Sequence, residues 1–243
     1  MSLRFRLVQC RDAGDPVLAE EVTAFASAMG VAESALLPYD ALSEPLDHAS
    51  VTAGVDAVLV GGSGRYSVLD DTPWMPRFIG LLGELAAHDT PTFASCFGFQ
   101  GLVLALGGDV QPVVSCSEVG SFEVERTSAA EHDPLLDGLP GRFVAQMGHK
   151  DSAVVFPREA VHLLSSARCR YQALRVGRAV YATQFHPELT VHLNRARFQR
   201  YESEYSKAFG QAQAASVHDA FRPSPEASEL LPRFVRAVFG ARA

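Results

Sequence analysis

The chain has 243 residues, enough for one domain with a large buried core, and its 47% apolar and 20% charged composition excludes a disordered polymer. A net charge of −7 gives nucleic-acid binding no electrostatic support and suits solubility instead. No apolar run approaches the ~20 residues that cross a bilayer, and residues 1–8 are too short and interrupted for a signal-peptide core. The four cysteines, at 10, 96, 116 and 169, make no Cys-x-x-Cys pair, so reduced thiols and a cytoplasmic location are expected.

In chain order, residues 3–10 read as a first strand. Residues 16–29 read as a helix with Asp15 as its N-cap and Gly30 as its stop. A short strand is expected at 35–39, and a nearly all-apolar one at 55–60 that runs into Gly61-Gly62-Ser63-Gly64. A helix over 74–87, a strand over 92–95 and a helix over 98–106 follow. Alternating strands and helices with apolar strands imply a parallel sheet covered on both faces. After Gly107-Gly108 the pattern changes to strands at 110–114, 121–126, 143–147, 162–165, 171–175 and 180–184, several of them antiparallel. Residues 190–209 are helical and charged, with Arg195, Arg197, Arg200, Glu202 and Glu204 read as a solvated face. A polar loop over 210–225 and a last helix over 224–239 complete the chain. That helix would carry Leu230, Leu231, Phe234, Val235 and Val238 on one face, to cover the sheet or to serve an interface.

Chemistry concentrates at two places. Ala94-Ser95-Cys96-Phe97-Gly98 has the form of a nucleophile elbow between strand and helix, with small residues two positions to either side of the cysteine. The Phe97 N–H at the helix start would face an oxyanion, and the helix end favours a thiolate. Ninety residues later, Gln184-Phe185-His186-Pro187-Glu188 places a base and a carboxylate two apart at the end of another strand. Pro187 breaks that strand, so the two side chains need not point to opposite faces. A thiol, a base and a carboxylate that fixes the base's tautomer are what acyl transfer through a thioester needs. Cys10, Cys116 and Cys169 read as buried structural cysteines.

Gly61-Gly62-Ser63-Gly64 lacks the lysine of a phosphate loop and leads into Asp70-Asp71, so an oxyanion donor from Gly62 fits better than a phosphate cradle. Gly148-His149-Lys150-Asp151 follows a strand and could line a pocket. No His/Cys/Asp set has metal-ligand spacing, His186 and His192 included, so neither metal nor cofactor is expected.

Six motifs stand in one order: Val60-Gly61-Gly62-Ser63-Gly64, Ser67-Val68 through Asp70-Asp71 to Pro73-Trp74, Cys96-Phe97-Gly98-Phe99-Gln100, Leu106-Gly107-Gly108, Gly148-His149-Lys150-Asp151 and Gln184-Phe185-His186-Pro187-Glu188. Together they resemble the class I glutamine amidotransferases, in the branch similar to the amidotransferase domain of GMP synthase. The resemblance spans about 45–205 of a single domain, with 210–243 as a helical extension. It implies an α/β fold of flavodoxin-like three-layer type: a mostly parallel central sheet flanked by helices, with an antiparallel extension. It also implies a Cys96–His186–Glu188 triad, oxyanion donors at Gly62 and Phe97, and a glutamine site at Gly64, Gln100, Gly148 and His149. The family elbow usually begins with Gly where this chain has Ala94. Phe99 and Ser63 also depart from the common pattern, which bears on substrate identity more than on catalysis.

The expected substrate is glutamine or another γ-glutamyl small molecule, cleaved to glutamate and ammonia or an amine, with no nucleic acid and no membrane involved. A separate synthetase subunit could accept the ammonia. The alternatives are a standalone γ-glutamyl peptide hydrolase and a non-catalytic binding or regulatory subunit.

Overall fold

Strands that are apolar at every position need cover on both faces, and period-2 alternation decides which residue meets which layer. A computed structural model of the chain describes residues 3–209, 217 and 220–240. Its main sheet has nine strands in the order β2-β1-β3-β4-β11-β10-β9-β6-β7. The strands β2 (Leu36–Asp40), β1 (Phe5–Gln9), β3 (Ala57–Val60), β4 (Thr92–Ser95) and β11 (Val180–Thr183) are mutually parallel. From β11 onward, β10 (Ala173–Val176), β9 (Val161–Ser166), β6 (Glu118–Arg126) and β7 (Arg142–His149) pair antiparallel. The expected architecture, a parallel sheet with an antiparallel extension, is what the chain forms.

Phe5, Leu7, Leu59, Phe93 and Tyr181 face one layer, where Phe25 of α1 (Val17–Met29) packs. Val8, Val58, Val60, Ala94 and Ala182 face the other. That second layer is built by α3 (Met75–Ala87) and α4 (Phe97–Ala105), with the short α2 (His48–Thr52) beside them. The start of α1 follows from its sequence: Asp15 Oδ1 accepts from the Val17 N–H at 2.8 Å, and Gly30 ends it in the left-handed conformation at φ 69°.

Several boundaries differ for local reasons. The strand expected at 110–114 is β5 (Asp109–Gln111), which stops where Pro112 can donate no N–H; residues Val114–Cys116 form a 3₁₀ turn. It pairs with β8 (Ser152–Val155), a strand that the sequence pattern did not announce, in a separate two-stranded sheet. The charged helix is α5 (Val191–Phe209). The last helix divides into α6 (Pro225–Ser228) and α7 (Leu230–Phe239) at Glu229. Pro232 supplies no N–H for the Ser228 carbonyl one turn earlier, so the split follows from its ring. Helix α7 buries Leu230, Leu231 and Phe234 against the first layer, with the Phe234 ring 5.6 Å from Phe93 and 6.1 Å from Tyr181. Most of the loop expected at 210–225 lies outside the described residues. Among the described residues, no helix is long and apolar enough to cross a membrane.

Candidate active site

Strand β4 lies between β3 and β11, and its last residue hands the chain to α4 through Cys96. Cys96 has φ 50° and ψ −95°, a backbone conformation that side chains other than glycine's resist. The surroundings fix it there. Its N–H donates to Thr183 O at 2.7 Å, and its carbonyl accepts from the Gln100 N–H at 3.0 Å. Below the turn, a Cβ on Gly98 would come within 2.8 Å of Val60 Cγ1 and 3.0 Å of Ala94 Cβ, so only glycine fits. The close approach of helix to strand is therefore secured by Gly98, and Ala94 in place of the usual glycine is accommodated. The Phe97 ring packs against Phe78 at 5.2 Å and Trp74 at 6.0 Å, which orients the first turn of α4.

The segment after β11 brings His186 and Glu188 onto the same side, as the strand break at Pro187 implies. His186 Nδ1 donates to Glu188 Oε1 at 2.6 Å. Glu188 Oε2 accepts from Ser95 Oγ at 3.1 Å, so the residue before the cysteine braces the carboxylate. Burial opposes charge on both groups of the pair. His186 nevertheless holds its proton well above the usual histidine range because Glu188 and Cys96 flank it, with charge and hydrogen bonding acting together. Burial likewise opposes ionisation of Glu188, but His186 and then Arg197 bring it below the usual carboxylate range. Gln184 Nε2 donates to Cys96 Sγ at 3.7 Å.

Gly62 faces the imidazole: a Cβ there would sit 2.7 Å from His186 Cε1. We expect Gly62→Ala to push the ring off the cysteine and lower turnover about 100-fold, and to lower the melting midpoint because the buried pair with Glu188 is disturbed, which steady-state kinetics beside a thermal melt would check. A cavity of about 30 Å³ opens beside His186, lined among others by Arg11, Gly64, Gly148, Arg197 and Tyr201. That is room for water, not for an amino acid. The Tyr201 ring covers Gly64, and helix α5 is kinked at Tyr201, where φ is −106° and ψ 16°.

Gln100 Nε2 donates to Asp151 O at 2.8 Å and to Gln184 Oε1 at 3.2 Å. Gly148 borders the cavity, but the His149 side chain turns away into the protein, with Nδ1 donating to Asp151 O at 3.0 Å and Nε2 3.3 Å from Glu118 Oε2. His192 is exposed on α5. The described residues thus contain a second Cys-His-Glu grouping, Glu118, His149 and Cys169, all buried. Burial first, and the nearby Glu118 charge second, push the Cys169 thiol up to about 11.

Sequence reasoning misses Arg197. Its neighbours in the chain suggest a solvated face, yet it is buried, donates through Nε to Glu20 Oε1 at 3.0 Å and lies 3.9 Å from Glu188 Oε1. The signal was the helical spacing of Asn194, Arg197, Phe198 and Tyr201, which share the inward face while Arg195 and Arg200 are exposed. Ser95 carried no signal beyond its place next to the cysteine.

The family description "Glutamine amidotransferase class-I" matches residues 12–202. The chain is 32% identical over 156 residues to a glutamine-hydrolysing GMP synthase of Thermosipho melanesiensis, covering 64% of this chain and 28% of that protein. It is 30% identical over 123 residues to a glutamine-hydrolysing GMP synthase subunit of Methanothrix thermoacetophila, covering 50% and 66%. The matches therefore span well under a third of the first relative and about two thirds of the second. Among solved structures, a glutamine amidotransferase from Thermotoga maritima superposes with a TM-score of 0.70 at 19% identity over 96% of each chain. A protein from Thermoplasma acidophilum, described as a GMP synthase subunit, does so with a TM-score of 0.67 at 19% identity over 100% of this chain and 97% of that one. With most of its length matched by the family and its sheet, elbow and His-Pro-Glu segment arranged as described, the chain belongs to the class I glutamine amidotransferases.

Proposed function

We propose that this protein is a thiol-dependent glutamine amidohydrolase in which Cys96 is the nucleophile, His186 the acid–base and Glu188 the carboxylate that orients it. The observation that carries the reading is a cysteine held at φ 50° at the head of α4, facing a buried His186–Glu188 pair joined at 2.6 Å. Cys96 attacks the γ-carbonyl carbon, and the amides of Gly62 and Phe97 hold the oxyanion. His186 donates its proton to the departing ammonia, leaving a γ-glutamyl thioester. Water enters, gives a proton back to His186, and releases glutamate and the thiolate. Gly64, Gln100 and the Gly148–His149 backbone frame the glutamine, and Tyr201 must leave Gly64 before a substrate can enter.

The grouping of Glu118, His149 and Cys169 does not compete for this role. Cys169 is held as a neutral thiol by its burial, follows β9 in a turn and heads no helix. Relatives named as single subunits of GMP synthase suggest that the ammonia passes to a separate synthetase chain. A standalone hydrolase of γ-glutamyl peptides is the second reading. Ammonia and glutamate release from glutamine and from a γ-glutamyl peptide, by wild type and by Cys96→Ala, decides. Release from glutamine that depends on Cys96 supports the proposal, preference for the peptide supports the second reading, and full activity of Cys96→Ala overturns both.

A further inference from the structure

Glu118 opens β6, His149 closes β7, and the two are register partners across that antiparallel pair. On the other side of β6 runs β9, and Cys169 lies in the turn from β9 to β10. The fold thus gathers residues 118, 149 and 169 from three separate stretches of chain. A carboxylate oxygen, an imidazole nitrogen and a sulfur lie within 4.8 Å of one another, and all three residues are buried. We propose that Glu118, His149 and Cys169 bind one Zn²⁺ ion, as a structural site separate from the Cys96 centre.

The donor set selects the metal. One sulfur, one nitrogen and one carboxylate oxygen suit Zn²⁺, whereas Ca²⁺ and Mg²⁺ take oxygen ligands. The tautomer is already set. Because a carbonyl only accepts, the 3.0 Å bond to Asp151 O puts a proton on His149 Nδ1 and turns Nε2 toward Glu118. A ligating histidine held from behind by a backbone carbonyl is the usual outer-shell arrangement at zinc. Charge closes as well. Glu118 is fully buried; it accepts from Ser166 Oγ at 2.7 Å and has His149 Nε2 at 3.3 Å, but among the described residues it has no Lys or Arg partner. Zn²⁺ with one carboxylate, one thiolate and a neutral imidazole sums to zero, which a site without solvent favours. Gln172 offers a fourth donor once its amide turns over, since its Nε2 now faces Glu118. Gln172 is fully buried; its Nε2 donates to Glu118 Oε2, and its Oε1 has no hydrogen-bond partner. Tetrahedral zinc separates its ligand atoms by about 3.3–3.7 Å, so side-chain shifts of about 1 Å bring Glu118, His149 and Cys169, now within 4.8 Å of one another, to that spacing.

Binding releases the Cys169 proton to solvent, forms the metal–sulfur bond and involves no redox change. The ion would pin the turn between β7 and β8 from behind. The Asp151 carbonyl that holds His149 also accepts from Gln100, and Gly148 lines the active-site cavity.

The test uses the full chain carrying Cys96→Ala, so that the other thiol facing a histidine is absent, stripped of metal and titrated with Co²⁺. The expected result is one Co²⁺ per chain with a thiolate-to-cobalt charge-transfer band, displaced by one equivalent of Zn²⁺. Cys169→Ser should lose the band and bind at least 100-fold more weakly. No band with Cys169 present, or a band that survives in Cys169→Ser, overturns the site. A second readout needs no change at Cys169: Zn²⁺ should slow its labelling by a maleimide at least tenfold, read peptide by peptide, and equal rates with and without Zn²⁺ overturn the site equally.

Discussion

Cys96→Ala is expected to lower glutamine hydrolysis about 10⁴-fold or more, because in the proposed mechanism Cys96 supplies the bond-making atom. Cys96→Gly should be equally inactive and yet the more stable of the two. Both changes delete the same sulfur, so comparing them isolates the backbone. At φ 50° and ψ −95° a residue with a Cβ is strained by about 1–3 kcal/mol. Glycine relieves that strain and gives back roughly 0.5–1 kcal/mol through the greater freedom of its unfolded chain. The net gain over alanine is therefore about 1 kcal/mol, or roughly 2–4 °C in the midpoint of a thermal melt for a chain of this size. Equal midpoints would mean that the turn is not strained. The larger stability of the glycine form would show the fold holding Cys96 in place at a cost to itself, with Thr183 O, the first turn of α4 and the Gly98 contact supplying the restraint.

Strand β3 was legible because burial on both faces leaves it apolar at every position, and β4 falls on residues 92–95 as expected although half of it is Thr and Ser. The elbow was legible because small residues on both sides of a cysteine have a steric purpose, which Gly98 serves against Val60 and Ala94. The same local logic failed where the deciding contact is distant. The partners of Arg197, Glu20 above all, lie on other elements, so a run of charges on α5 reads as solvated although the spacing of Asn194, Arg197, Phe198 and Tyr201 marks one inward face. Strand β8 is short and forms against β5, more than forty residues earlier by the register Gln111 to Ser152. The grouping of Glu118, His149 and Cys169 was invisible to spacing rules, since it depends on which strands neighbour β6. Pro232 could have announced the break at Glu229, but the apolar face of 224–239 masks it by continuing in phase.

Glu188→Gln is expected to cost about 10³-fold in kcat and to change stability in a pH-dependent way. Glutamine keeps an acceptor for His186 Nδ1 but removes the charge that holds the imidazolium, and it leaves the buried Arg197 without its second carboxylate. The sign follows from the two partners. His186 has a folded pKa raised above its ordinary value of about 6.5, so its share of the stability is complete below that pH and fades as pH climbs toward about 10. Glu188 has a lowered folded pKa, so its share is complete above the ordinary value of about 4.3 and fades as pH falls. Both are in force between roughly pH 5 and 6.5, where the wild type should exceed Glu188→Gln by about 2 kcal/mol. Toward pH 10 the gap should close. Making the comparison in a Cys96→Ala background removes the thiol's part in holding the proton, so the gap should close at a lower pH there. A gap that stays constant from pH 6 to 10 in both backgrounds would mean that His186 is neutral in the folded protein, and the acid that protonates the leaving ammonia would have to be sought elsewhere.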